Sequence, residues 1–342
     1  MDKQTQTLLK YTSRSLYLSA RILPRTIRDA FGIAYLLCRY ADSIADTSLL
    51  PPQRRLYWIA KYPQMIALPN EKEQKELVKE ICGSSDNPYE KELLENLPCC
   101  LRAFQALCAP QRQAVLEVAR QVCNGMQMDL QTFPAENSGQ IASLHTAQDL
   151  EHYCHLMGGA PGVFWSTLIT QTVRLPIEKE RLLLLGRNIG DALQIVNILR
   201  DLPKDLRIGR CYFPLEELSP LGLTPQDLLE PKNSPRFEPI KQKWIYWGLS
   251  KLQSAFEYMQ ALPKTQLRHR AAVAWPVLWT ADTLYKVYQE QNLLDVAHRV
   301  KIPRRVIYKT MLLSPFVLPS NRLFAKWLEN KMALFSSFKN TL

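Results

Sequence analysis

Apolar residues recur at three- and four-residue spacing along nearly the whole chain, and runs alternating every second residue with Val, Ile and Thr are absent. This pattern predicts helices near 4–23, 25–46, 52–66, 71–81, 88–107, 111–130, 147–172, 177–201, 237–261, 268–291 and 323–338. Pro24, Pro51, Pro52, Pro69, Pro98, Pro110, Pro176 and Pro263 separate them. Residues 209–236, rich in Pro and Gly, read as a long surface connection with short turns. Neither a linker nor a tandem repeat is visible, so one all-α domain over 1–342 is expected.

Two of these helices carry a polar stripe. In "YLLCRYADSIAD" (35–46), Tyr35, Arg39, Asp42 and Asp46 stand at offsets 0, 4, 7 and 11. At about 100° per residue they share a stripe roughly 60° wide. Ile33, Ala34, Leu36, Leu37, Cys38 and Ile44 cover most of the remaining surface, as in a buried helix. Buried carboxylates are costly unless paired or bound to a metal. Either Arg39 forms a structural salt bridge with Asp42 or Asp46, or the carboxylates serve a ligand.

The second stripe lies in "LQIVNILRDLPKD" (193–205), where Gln194, Asn197, Asp201 and Asp205, if helical, span about 80°. The chain has thirteen Asp, and random placement gives about half of one Asp-x3-Asp pair, against the two found. Pro203 complicates the second pair. It removes the bond to the Leu199 carbonyl, so the helix either kinks there or ends near 202, leaving Asp205 on a turn.

Charge changes the picture. The chain carries a net +11 and a sequence pI near 9.2, which favours an anionic partner: phosphate esters, an anionic membrane surface or nucleic acid. Eight Cys lie scattered without Cys-x-x-Cys spacing and no leader peptide precedes them, so reduced thiols in a cytosolic protein are expected. No apolar run reaches the ~18 residues of a membrane span, so a protein that does not cross a membrane is expected. Asp clusters hold Mg²⁺ through hard oxygen ligands. Mg²⁺ and Arg together clamp diphosphate, and apolar flanks could line a cavity for a hydrocarbon tail. The competing picture is a helical bundle with two internal salt-bridge layers and no chemistry.

The segments "SRSLYLSARILP" (13–24), "YLLCRYADSIAD" (35–46), "GMQMDL" (125–130), "YCHLMGGAPG" (153–162), "LQIVNILRDLPKDLRIGRCYFP" (193–214) and "LRHRAAVAWPVLWTADTLY" (267–285) resemble the squalene/phytoene synthases. The resemblance runs in order from about 10 to 310. It implies a single-domain all-α prenyl-synthase (terpenoid synthase) fold around a central cavity, with two Asp-rich motifs facing each other across its mouth. Asp42, Asp46, Asn197, Asp201 and Asp205 are then the expected Mg²⁺ site. Ser13, Arg14 and Ser15 match a motif contacting diphosphate and lying near NADPH in squalene synthases. Tyr35, Arg39 and Tyr153 match residues implied in ionisation and proton transfer. Gln194 matches a polar residue before the second motif, Arg200 and Arg210 match phosphate-binding positions, and Tyr285 matches a late cavity tyrosine. Ser43 and Lys204 depart from acidic positions of some relatives.

Blander roles stand beside these. Ser13 could cap a helix and Tyr153 could be a core tyrosine. His152 and His155 lack a third metal ligand. "GGAPG" lacks a dinucleotide fingerprint and reads as a site of close helix approach or kinking, while Trp275 and Trp279 read as core.

The implied reaction is Mg²⁺-dependent head-to-head condensation of two farnesyl diphosphates to a cyclopropyl diphosphate (presqualene diphosphate), then to squalene with NADPH. The "AWPVLWTADTLY" and "PRRVIY" segments look most like bacterial one-enzyme squalene synthases. Sibling outcomes are phytoene, dehydrosqualene, presqualene diphosphate or hydroxysqualene without reduction; a non-enzymatic helical membrane-surface protein is the remaining alternative. No nucleic-acid partner is expected. The basic, amphipathic segment 321–342 is expected to contact anionic bilayers peripherally, at the inner membrane face, or else to dock on the protein's own core.

Overall fold

The computed structural model describes residues 9, 22–47, 50–82, 94–134 and 138–335. They fall into two compact units: Met1–Pro134 with Phe164–Arg174, and Ala135–Val163 with Leu175–Leu342. The sequence reading expects one domain.

In the first unit, α1 (Arg25–Asp46) packs against α2 (Pro52–Ala67), α4 (Leu97–Gln105) and α5 (Ala109–Thr132), and α3 (Glu71–Cys82) lies on α2 and α4. Leu36, Leu37, Tyr40 and Ile44 of α1 are fully buried. Tyr62 Oη donates to the Leu37 carbonyl at 3.1 Å. Arg55 Nη1 donates to the Ala45 carbonyl at 2.7 Å, satisfying one of the orphan acceptors at the end of α1. These bonds fix the helix that carries the first stripe. The helix expected at 4–23 lies almost wholly outside the described residues, as does the first part of that expected at 88–107.

The second unit contains α6 (Ala147–Cys154), a π-helical turn (His155–Gly159), the start of α7 (Ala160–Thr170) and α8 (Lys179–Arg207). It continues through α9 (Leu215–Leu218), α10 (Ser234–Leu252), α11 (Ser254–Ala261), α12 (Leu267–Gln289), α13 (Arg304–Val317) and α14 (Asn321–Met332). β1 (Ala142–Ser143) and β2 (Arg210–Cys211) form a short parallel pair, Ala142 opposite Arg210 and Ser143 opposite Cys211. α8 is the hub, contacting α6, the π turn, β2, α10, α11 and α12. By length and composition α8 is apolar enough to cross a membrane, but 61% of its apolar window is buried inside the protein, as in a core helix. The sequence reading sought an unbroken apolar run; this window is interrupted by polar and charged residues.

Three segments differ from expectation. Residues 209–236 are less a surface loop than a tucked strap: Cys211, Tyr212, Phe213, Leu218, Leu223 and Leu228 are buried. Turns space these residues irregularly, which hides them from periodicity. The helix expected over 237–261 divides at Gln253 into α10 and α11. α13 was not expected, because its polar residues Thr310 and Ser314 are the buried ones.

Candidate active site

The first stripe is present on α1. Asp42 and Asp46 are one turn apart, Asp42 partly exposed and Asp46 exposed, while Ile44 and Ala45 between them are buried. Arg39 Nη1 lies 3.5 Å from Asp42 Oδ2, with both side chains more than a third exposed. The pair therefore resembles a loose surface contact more than a structural core bridge. Surrounding protein desolvates Asp42 and raises its pKa to about 6; Arg39 opposes the rise and Asp46 adds to it. Burial also raises the Tyr35 phenol and lifts Cys38 to about 12. Ser43 is buried, so the position where some relatives carry an acid turns into the core here.

The second stripe is on α8, and Pro203 does not end the helix. α8 continues to Arg207, so Asp205 sits on the helix one turn beyond Asp201. Leu202, Pro203 and Leu206 are all buried, and this packing outweighs the lost backbone bond. Gln194, Asn197, Arg200, Asp201 and Asp205 are partly exposed, while Ile195, Val196, Ile198 and Leu199 are buried. Arg200 forks onto Asp201: Nε donates to Oδ1 at 3.0 Å and Nη2 to Oδ2. Hydrogen bonding to Asp201 raises the Arg200 pKa, against burial. Lys204 points to solvent.

Elements packed on α8 bring further residues to this unit's site. α6 begins with a capping box in which Thr146 and Asp149 satisfy each other's backbone N–H groups. It carries Tyr153, 4% exposed, whose hydroxyl donates to Tyr212 Oη at 3.2 Å. The two rings stack with centroids 4.7 Å apart. Tyr212 follows β2, which holds Arg210. Sequence reasoning passed over Tyr212, although "RCYFP" lay within a quoted motif. The "GGAPG" glycines bring helices close: a Cβ on Gly158 would stand 2.3 Å from the Gly190 carbonyl oxygen and 2.7 Å from Gln194 Cβ.

Ser13, Arg14 and Ser15 lie outside the described residues. Tyr285 accepts from Gln289 Nε2 at 3.0 Å and touches Tyr288 and Phe335. His152 is exposed and His155 turns towards Asp191; among the described residues no group of three or more His, Cys, Asp or Glu could hold a metal. The Asp191 cluster was missed. This carboxyl is 2% exposed, lies 3.9 Å from His155 Nδ1 and from Arg187 Nε and 4.0 Å from Lys251 Nζ, and burial raises its pKa to about 7.

Comparison with known proteins agrees with the motif order. The squalene/phytoene synthase family matches residues 9–306. The chain belongs to that family. A bifunctional lycopene cyclase/phytoene synthase of Pyrenophora tritici-repentis is 29% identical over 266 residues, covering 75% of this chain and 41% of that protein. The chain thus spans less than half the length of that relative. A squalene synthase of Schizosaccharomyces pombe is 24% identical over 298 residues, covering 86% of this chain and 61% of that one. The structure of TcSQS with the ligand E5700 superposes with a TM-score of 0.81 at 19% identity, covering 97% of this chain and 90% of that one. The fold is the all-helical terpenoid-synthase fold, and the family is one of head-to-head condensing enzymes that bind isoprenyl diphosphates.

Proposed function

We propose that this chain is a squalene synthase. It joins two farnesyl diphosphates head to head, releasing one diphosphate and a proton to give presqualene diphosphate. It then converts that intermediate to squalene with release of the second diphosphate. The observation that supports this most is the unbroken α8, which keeps Asp201 and Asp205 one turn apart on a face shared with Asn197 and Gln194. Asp42 and Asp46 repeat that spacing on α1.

Each stripe offers hard oxygen ligands of the type Mg²⁺ takes, two carboxylates apiece and so short of a three-carboxylate group: Asp42 and Asp46 on α1, and Asp201 and Asp205 beside the Asn197 amide oxygen on α8. Bound there, Mg²⁺ would neutralise the departing diphosphate, and NADPH would supply the hydride of the last step. The chain's own residues do the rest. Arg39, Arg200 and Arg210 offer positive charge to phosphate oxygens. The Tyr153–Tyr212 hydroxyl pair can pass the proton lost when the cyclopropane forms. Each stripe is flanked by apolar residues, the surroundings a carbocation needs to escape quenching by water. Protein and substrate would meet in the cytoplasm at the inner membrane face.

The test is incubation with farnesyl or geranylgeranyl diphosphate, Mg²⁺ and NADPH, followed by product identification. Squalene from the C15 substrate is expected. Phytoene from the C20 substrate would replace this reading with that of a phytoene synthase, the activity in the name of the Pyrenophora relative.

A further inference from the structure

The two buried side chains of α13 are polar, set among half-buried Val306, Ile307 and Val317: Trp275 Nε1 donates to Ser314 Oγ at 2.8 Å, Ser314 Oγ to the Thr310 carbonyl at 2.6 Å, and Thr310 Oγ1 to the Val306 carbonyl at 2.9 Å. Its outer side is apolar, with Tyr308, Leu312 and Phe316 exposing 63%, 72% and 74% of their surface. Together with Arg305 and Lys309 they occupy roughly 100° of the helix. A helix whose outer side meets water keeps that side polar; this one leaves Tyr308, Leu312 and Phe316 on it.

Charge narrows the partner. From 296 to 328 the chain carries Arg299, Lys301, Arg304, Arg305, Lys309, Arg322 and Lys326 and no Asp or Glu. Nearby α14, where the sequence suggested membrane contact, instead docks on the core: Phe324, Leu328, Met332 and Phe335 are buried, and Lys331 pairs with Asp282. Its apolar stripe is turned mostly into the protein, with Leu323 and Leu334 half exposed, and the most exposed apolar stripe of this region is on α13.

We propose that this face of α13 seats the protein on an anionic lipid bilayer. Leu312 and Phe316 enter the boundary between headgroups and acyl chains, while Arg305 and Lys309 stay among the lipid phosphates. The inference rests on the proposed function in one respect: a farnesyl substrate and a hydrocarbon product partition into membranes. A second copy of the chain is a poorer occupant, since two-fold pairing of this face would oppose Arg305 and Lys309 with their own copies.

The experiment is sedimentation with vesicles of phosphatidylglycerol and phosphatidylcholine, beside vesicles of phosphatidylcholine alone. The protein should bind the anionic vesicles more tightly, and binding should weaken as salt rises. The double variant Leu312→Ser/Phe316→Ser should bind at least tenfold more weakly, and Arg305→Glu/Lys309→Glu should lose the preference for anionic lipid. Both should melt like the wild type, because the altered side chains are exposed, and both should turn over detergent-dispersed farnesyl diphosphate at the wild-type rate. Vesicle binding unchanged in both variants would overturn the proposal. So would a dimer, seen by light scattering, that Leu312→Ser/Phe316→Ser dissolves while vesicle binding persists. Absent turnover in wild type and variants alike would count against the enzymatic reading and leave the vesicle result to decide the docking surface.

Discussion

Arg200 is bound by the residue next to it in the chain: its guanidinium forks onto both carboxylate oxygens of Asp201. The first stripe repeats the arrangement more loosely, Arg39 standing 3.5 Å from Asp42. Each stripe thus carries its own counter-charge, and both pairs are partly exposed. These carboxylates would be the ones to hold a cation, and each arginine, being partly exposed, could then offer its charge to a phosphate oxygen.

Asp42→Ala and Asp201→Ala should therefore each reduce turnover by at least about 10²-fold, the scale of losing one preorganised electrostatic contact in a transition state. Melting should barely move, because exposed ion pairs contribute only about 0–1 kcal/mol. Steady-state kinetics beside thermal melts checks both halves. Near-normal turnover in either variant would remove the metal assignment for that stripe; stripping divalent cations with a chelator should stop the reaction in the wild type.

Withholding NADPH separates the half-reactions. The condensation needs no reductant, so presqualene diphosphate should accumulate when Mg²⁺ and farnesyl diphosphate are supplied alone. Later addition of NADPH should convert it to squalene, followed by chromatography of the extracted products. Full conversion to a polyene with no nicotinamide present would instead assign a dehydrosqualene or phytoene synthase.

Both stripes were legible in the sequence because a helix places residues at fixed angles, and α1 and α8 hold Asp42/Asp46 and Asp201/Asp205 as the offsets require. What local pattern could not decide was the fate of α8 at Pro203. Backbone chemistry favoured a break, and the burial of Leu202, Pro203 and Leu206 against other elements overrode it. Tyr212 was hidden for a related reason: it follows a two-residue strand whose partner, Ala142–Ser143, is distant in the chain. Asp191 reads as an ordinary helix residue until the π turn brings His155 beside it.

That Asp191–His155 contact has a pH signature. Burial lifts Asp191 from 3.8 to about 7, so its contribution to stability is full below pH 4 and is lost as pH rises towards 7. Burial, helped by Arg187, His152 and Lys251, lowers His155 from 6.5 to about 4, so its contribution is full above pH 6.5 and is lost as pH falls towards 4. Between about pH 4 and 6.5 the two slopes oppose each other, and the wild type hides both. Lys251 and Arg187 also face Asp191 and oppose the rise, while Glu151 adds to it. Asp191→Asn should expose the His155 slope, with stability rising from pH 4 to 6.5. Above pH 7 the variant should be more stable than the wild type, by at most about 4 kcal/mol at 1.36 kcal/mol per pKa unit. Denaturant titrations at several pH values measure this. A variant less stable than wild type at pH 8 would mean that Arg187 and Lys251 hold Asp191 ionised and that its charge stabilises the fold.

The close approach of the π turn to α8 makes a sharper demand on sequence. A Cβ at Gly158 would meet the Gly190 carbonyl oxygen at 2.3 Å and carbon at 3.0 Å, and Gln194 Cβ at 2.7 Å. The nearest of these atoms is a backbone oxygen of the hub helix, and the next is a Cβ fixed to that backbone, so neither can turn aside as the far end of a side chain can. Gly158→Ala must therefore push the π turn, and with it the end of α6 that carries Tyr153, away from the face of α8 that carries Gln194. Overpacking of this kind costs about 1–3 kcal/mol, which for a unit of this size is a melting loss of roughly 2–10 °C. Turnover should fall as well, because Tyr153 and the second stripe lose their register. Gly248→Ala is the control: its Cβ would meet side-chain atoms only, Ile195 Cγ2 at 2.9 Å and Leu284 Cδ1 at 3.6 Å, which can yield. Its loss of stability and turnover should be the smaller of the two. Equal losses in the two variants would show that any added methyl around α8 is harmful and that the glycine contact has no special part in setting Tyr153 against the carboxylate helix.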